Sequence, residues 1–224
     1  MTISSFVRTA CIFLAIALAT PRFSRAAIVN GDFSTGDLTG WTPFNDPDGT
    51  ANGDPNSGGN PVISFFDVTG DGASSAVQFR VGRTGGPTAN QGGGIIQSIQ
   101  TIAGDLMLTA DFAVESDEIN AQGGLFELTI NGVVVDSEAV DMMTVGQVVR
   151  GSLSAAVSVD AGSQDIQLSI RRRFGAGSAS TPVQYFDNVI ASGSAVAIPE
   201  PAAVLPLLAL TTSCLLCRIR RRRD

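Results

Sequence analysis

The stretch Asp67-Val-Thr-Gly-Asp71-Gly72 places side-chain oxygens at its first, third and fifth positions and glycine at its sixth. A calcium loop of the EF-hand type opens this way, with carboxylate and hydroxyl oxygens gathered around a hard cation. Asp67, Thr69 and Asp71 are therefore the candidate Ca2+ ligands. The twelfth position, where such loops carry an acid, is Gln78, in a strand pattern rather than a helix. The plainer alternative is a glycine turn joining two strands. Asp46-Pro-Asp48-Gly-Thr-Ala-Asn-Gly-Asp54 is a second oxygen-rich stretch and reads as a solvated loop.

Most other chemistry is excluded by residue type. The chain has no histidine, so no Ser-His-Asp or Cys-His pair and no imidazole metal site can form. Cys11, Cys214 and Cys217 all lie near the ends, and residues 27–198 contain neither cysteine nor lysine. Cys214 and Cys217 have C-x-x-C spacing, but in an apolar run with no strand before it, which is not a redox or zinc context. Paired carboxylates of the glycosidase kind need only a separation of about 5–9 Å, yet no spacing among the acids singles out a pair. The sequence predicts a protein that is not an enzyme.

Binding chemistry rests on few residues. Sugars stack on aromatic faces, and the chain offers one tryptophan, Trp41, and one tyrosine, Tyr185. Trp41 follows a turn glycine and Tyr185 lies in a strand pattern, so core packing competes with ligand contact for both. Arg171, Arg172 and Arg173 could grip an acidic polysaccharide through bidentate hydrogen bonds. They could equally be a charged strand end that discourages edge pairing. Residues 82–94 are rich in glycine without the lysine and helix of a phosphate loop, and read as a flexible connector.

Residues 27–198 hold six arginines against fifteen aspartates and four glutamates, a net charge of −13. Such a surface repels nucleic acid and anionic lipid, and no nucleic-acid partner is expected.

The elements that must position these residues are strands. Leu106, Leu108, Ala110, Phe112 and Val114 alternate with polar residues, as do Val77, Phe79 and Val81. Residues 125–130 alternate, meet Asn131-Gly132 and return through 133–135, the signature of a two-residue hairpin. Residues 165–170 alternate again, and 62–68, 94–101, 147–159 and 183–191 are further strand candidates. Between the two ends no window holds a helical stripe. Eight or nine antiparallel strands predict an all-β fold, an antiparallel β-sandwich of jelly-roll type, spanning residues 27–193.

Asn30-Gly31, Phe33 and Gly40-Trp41 near the start, with Asp187-Asn188-Val189 near the finish, resemble the opening and closing motifs of galactose-binding-like and carbohydrate-binding-module sandwiches. The resemblance implies the same fold and a carbohydrate-binding role. In several such modules an acid after the phenylalanine and the closing aspartate help to hold a structural calcium; here the position after Phe33 is Ser34.

The two ends read as addresses. Residues 1–26 combine Arg8, an apolar run over 10–19 and small residues up to Ala26, the layout of a signal peptide cut by signal peptidase. Residues 194–201 form a linker carrying Pro199, Glu200 and Pro201; 202–217 are apolar and of marginal length for a membrane span; 218–224 hold Arg218, Arg220, Arg221, Arg222 and Arg223. The arginines predict a cytoplasmic end. This order of elements resembles the PEP-CTERM sorting signal. The resemblance implies a Gram-negative exported protein, held in the inner membrane until an exosortase processes it, and then placed at the cell surface or in an extracellular polysaccharide matrix. The leading expectation is a non-enzymatic component of that surface or matrix, with a true carbohydrate-binding module as the alternative.

Overall fold

The computed structural model describes residues 28–52, 59–84, 90–116, 119–175 and 181–196. Twelve strands follow in order: β1 Thr42–Asn45, β2 Gly49–Thr50, β3 Val62–Phe66, β4 Ser74–Phe79, β5 Gly82–Arg83, β6 Gln91–Thr101, β7 Gly104–Glu115, β8 Ala121–Ile130, β9 Val133–Met143, β10 Val148–Val159, β11 Gly162–Arg172 and β12 Val183–Ser192. Ten of them build two five-stranded sheets, ordered β1-β6-β11-β8-β9 and β10-β7-β12-β4-β3; β2 and β5 pair separately. All pairings are antiparallel. The fold is an all-β antiparallel sandwich.

Alternation decides which side chains meet between the sheets. Ile95, Phe126, Leu128, Ile166, Leu168 and Ile170 come from the first sheet, and Val77, Phe79, Leu106, Leu108, Phe112 and Phe186 from the second; all are fully buried. Phe112 stacks on Phe126 at 4.3 Å between ring centroids, and Phe126 meets Phe186 edge-on at 5.4 Å, which ties the sheets together. Each such side chain contributes roughly 1.5–3 kcal/mol on leaving water. Asn131 and Gly132 both take positive φ, 50° and 79°, as a two-residue hairpin between β8 and β9 requires.

The opening and closing motifs meet physically. Val189 N–H donates to Gly31 O at 2.8 Å, and a Cβ at Gly31 would lie 2.1 Å from Val189 O, so only glycine fits. Phe33 and Trp41 enter the core there, their ring centroids 6.1 Å apart. At the other end of the domain, Ser194–Val196 form a short 3₁₀ turn rather than linker. Ala195 is buried and its carbonyl accepts from Ile102 N–H at 2.8 Å.

Three short strands escape the sequence pattern. β1 carries Pro43, tolerated because β1 is an edge strand with one unpaired side. β2 and β5 are too short to show a period. Within the glycine-rich stretch, Gly92, Gly93 and Gly94 are not a connector; they open β6 and pair with β11 and β1. A Cβ on Gly94 would stand 2.0 Å from Leu168 O, so this strand passage requires glycine.

Candidate functional site

The outer faces of the two sheets differ. On the β10-β7-β12-β4-β3 sheet the turn after β3 folds back over the strands. Arg150, on the far edge strand β10, donates through Nε to Asp67 O at 3.0 Å and through Nη2 to Asp67 Oδ2 at 3.2 Å. Beneath this turn Val68, Ala76, Ala113, Val183 and Tyr185 form a small second core, with Phe66 stacked on Tyr185 at 4.0 Å.

The outer face of the β1-β6-β11-β8-β9 sheet is built differently. Register sets Phe44, Gly94, Ser169, Glu127 and Ser137 in one row across five strands. The next row holds Gly92, Arg171, Leu125 and Ala139, with Asp46 docked at its end by two backbone contacts: Asp46 N–H donates to Gly92 O at 2.9 Å, and Gly92 N–H donates to Asp46 Oδ2 at 3.1 Å. Arg171 stands at the centre. Its Nε donates to Asp46 Oδ2 at 2.9 Å, its Nη2 to Asp46 Oδ1 at 3.4 Å, and its Nη1 to Glu127 Oε2. Ser169 Oγ donates to the same Glu127 oxygen at 3.2 Å. The hydrogen bonds that Arg171 donates to Asp46 foremost, then the charges of Asp46 and Glu127, hold the guanidinium above its ordinary range despite partial burial.

This cluster is preorganised. A guanidinium fixed by two carboxylates has its fork direction set before any ligand arrives. It presents hydrogen-bond donors and acceptors side by side, flanked by the half-buried Phe44 ring and the exposed Ser137. It is poorly arranged for hydrolysis, because the guanidinium fills the space between the two carboxylates, where a scissile bond would have to sit.

No family model matches the chain, and no curated protein matches it. Solved structures with similar chains include a carbohydrate-binding module in complex with β-1,4-galactotriose, at 16% identity and TM-score 0.41 over 76% of this chain and 99% of that one. The xylan-binding domain from Paenibacillus barcinonensis gives 13% identity and TM-score 0.39 over 75% and 94%. The enzymatically active domain of tailspike protein 4 from bacteriophage CBA120 gives 16% and 0.45 over 78% of this chain and 22% of that one. All three TM-scores lie below 0.5, and none bears on what the face described above can bind.

The residues singled out by sequence fall in different places. The three arginines are neither a cationic patch nor a charged strand edge: β11 is the central strand of its sheet. Arg171 is paired as described. Arg172 is fully buried on the core side, donates through Nη1 to Val81 O at 3.1 Å, and is pushed down to about 10 by desolvation. Arg173 is exposed just past the strand. Trp41 is 5% exposed and its Nε1–H donates to Asn30 O at 3.2 Å; Tyr185 is 4% exposed, under the turn. Neither ring is presented as a platform.

Asp67 Oδ1 accepts from the N–H groups of Gly70 and Gly72 at 2.7 and 3.1 Å, and Thr69 Oγ1 accepts from Asp71 N–H at 3.2 Å. The backbone hydrogen bond from Gly72 is the main cause that lowers the Asp67 carboxyl. Asp187, in the closing motif, is buried beside Asp111. Ser74 Oγ donates to its Oδ2 at 2.6 Å and Asn188 N–H to its Oδ1 at 2.7 Å. Desolvation pushes its carboxyl up. Among the described residues no three acids are grouped to hold a metal ion, and no helix is long and apolar enough to cross a membrane. The segments 1–26 and 202–217, Pro199, Glu200, Pro201 and the arginines at 218 and 220–223 lie outside the described residues.

Asp46, Glu127, Ser169 and Phe44 are the site residues that sequence reasoning missed. Asp46 sits in the stretch read as a solvated loop, yet it is tied to both β6 and β11. Glu127 occupies an outward position of an alternating strand, where an acid carries no signal until its cross-strand neighbours are known.

Proposed function

We propose that the chain is an exported, non-catalytic protein whose sandwich binds a polysaccharide on the outer face of the β1-β6-β11-β8-β9 sheet. The observation that carries this reading is Arg171, fixed between Asp46 and Glu127 in the middle of that face. A preorganised charged fork loses little entropy on engaging hydroxyl groups. The opposite face supports the choice, since the Asp67 turn already covers it. In this reading signal peptidase acts on residues 1–26, and the Pro199–Pro201 motif with its arginine tail directs exosortase processing. The sandwich then works at the cell surface or in the extracellular polysaccharide matrix.

The test is the melting temperature of the full-length protein with and without extracellular polysaccharide. A ligand that binds only the folded state adds RT ln(1 + [L]/Kd) to its stability, about 2.7 kcal/mol at a hundredfold excess over Kd, and so raises the melting temperature. We expect a saturable rise in the wild type and a much smaller one in Phe44→Ala, with circular dichroism confirming that the variant is folded. No rise at high polysaccharide would leave the sandwich as a passive surface or matrix component.

A further inference from the structure

We infer that Asp136 keeps a second copy of this chain from pairing along the free edge of β10. The inference stands apart from the ligand reading above and comes from comparing the four strands that end the two large sheets, β1, β9, β10 and β3. An end strand presents unpaired N–H and C=O groups on which another strand can form, and proteins blunt it with short length, proline, charge or a bulge. β1 has four residues and contains Pro43. β3 has five residues. β9 carries Asp136, Glu138 and Asp141 and a register shift against β8. β10 has none of these devices over most of its length. It runs for twelve residues in unbroken register with β7, and residues 151–159 hold no charge and no proline. The single charge on the strand, Arg150, is taken up by the Asp67 turn. Two such strands can pair antiparallel about a twofold axis, each meeting the same surface on the other. The small outward residues Ser152, Ser154, Ala156 and Ser158 put no bulk in the way.

The missing protection is supplied by the opposite sheet. The register shift leaves Val135 as an extra residue between Val134, opposite Thr129, and Asp136, opposite Leu128. A bulge of this kind re-aims the side chains beside it. Residues directly opposite in an antiparallel pair share a face, so Asp136 lies on the side of Leu128 and Glu138 on the side of Phe126, the side turned to the other sheet. Inward charges on an end strand are themselves an edge device, and here they serve the neighbouring edge. Asp136 Oδ2 accepts from Ser154 N–H of β10 at 2.7 Å, while its Oδ1 accepts from Ser137 N–H at 2.8 Å. Glu138 lies close by, since a Cβ on Gly151 would stand 3.1 Å from its Oε2. The Ser154 N–H therefore points away from β7, toward the side on which a new strand would add, and a carboxylate already occupies that place. A second copy would have to break this charge-assisted hydrogen bond before it could pair there.

The experiment is size-exclusion chromatography with light scattering on the full-length protein and two variants, over a wide range of concentration, with circular dichroism confirming that each is folded. Asp136→Ala frees the Ser154 N–H, and its mass should climb with concentration to roughly twice that of the wild type run alongside. Ser154→Pro deletes the N–H at an edge position, where proline is tolerated, so the double variant Asp136→Ala/Ser154→Pro should return to the wild-type mass. A folded Asp136→Ala protein that keeps the wild-type mass at every concentration would overturn the inference, and so would added mass that survives Ser154→Pro. Hydrogen exchange on the wild type tests the cap without any substitution. Relative to its intrinsic rate, the Ser154 N–H should exchange roughly fivefold or more slowly than those of Ser152 and Ala156, which face the same way with no such cap among the described residues. Equal protection at all three would sink the claim even if Asp136→Ala failed to fold.

Discussion

Replacing Arg171 with methionine keeps most of the side chain's length and deletes its charge. Asp46 and Glu127 then face each other across an apolar tip, with side chains only 15% and 10% exposed. Stripping one partner from a fully buried pair costs about 3–5 kcal/mol, whereas an exposed pair is worth at most about 1 kcal/mol. Arg171 itself is 28% exposed, so the case falls between these limits. A loss of about 2–3 kcal/mol is expected; at ~2–4 °C per kcal/mol for a domain of this size, the melting temperature falls by roughly 5–10 °C. Thermal melts followed by circular dichroism measure it directly. Repeating them in about 1 M salt, where screening shortens to ~3 Å, separates buried from exposed charge. A buried cluster keeps most of its effect there. Adding Glu127→Gln to Arg171→Met should return part of the lost stability, because the orphaned carboxylate is gone. A single variant melting within about 1 °C of wild type, or a loss that disappears in salt, would refute the claim that this arginine is locked in place.

Tyr185 is the only tyrosine in the chain, so its titration can be read without interference. Burial, aided by the charge of Glu115, pushes its phenol up to about 12 from 10.0. Phenolate absorbance should rise near pH 12 in the folded protein, and the stability that the neutral phenol contributes should be full below pH 10 and lost as pH climbs through about 12; a folded-state midpoint near 10 would contradict its burial. Asp187 binds its proton more tightly in the folded chain than in the unfolded one, whose value is near 3.8. Its contribution is therefore greatest below that pH and is lost as pH rises through the raised folded value. Asp187→Asn should accordingly raise the melting temperature more at pH 7 than at pH 4, and an equal effect at both would argue against the shift. Gly94→Ala forces a Cβ to 2.0 Å from Leu168 O; urea titration should show a loss of more than about 3 kcal/mol or no folded protein.

How much of this was legible in the sequence depended on range. The hairpin at Asn131-Gly132 and the long strands follow from alternation and turn chemistry, which are local. Gly31 and Val189 meet because the opening and closing motifs come together in space, a contact that neither motif alone shows. The arginine triplet shows the limit. Its consecutive charges look like a single patch, yet a strand sends neighbours to opposite faces. Arg172 therefore enters the core, while Arg171 turns outward to carboxylates 125 and 44 residues away along the chain. No window of sequence contains that cluster, because register between β8, β11 and the Asp46 turn creates it. The same register separates the two outer faces in the binding reading proposed above. The turn after β3 crosses its own sheet and is fastened by Arg150, which leaves Tyr185 beneath it. Among the described residues nothing comparable covers Arg171, and the glycines at 92 and 94 keep the neighbouring strand free of side chains beside it. Among the described residues it is this face on which donors, acceptors and an aromatic edge lie together, which is what commends it to a ligand that reads hydroxyl groups.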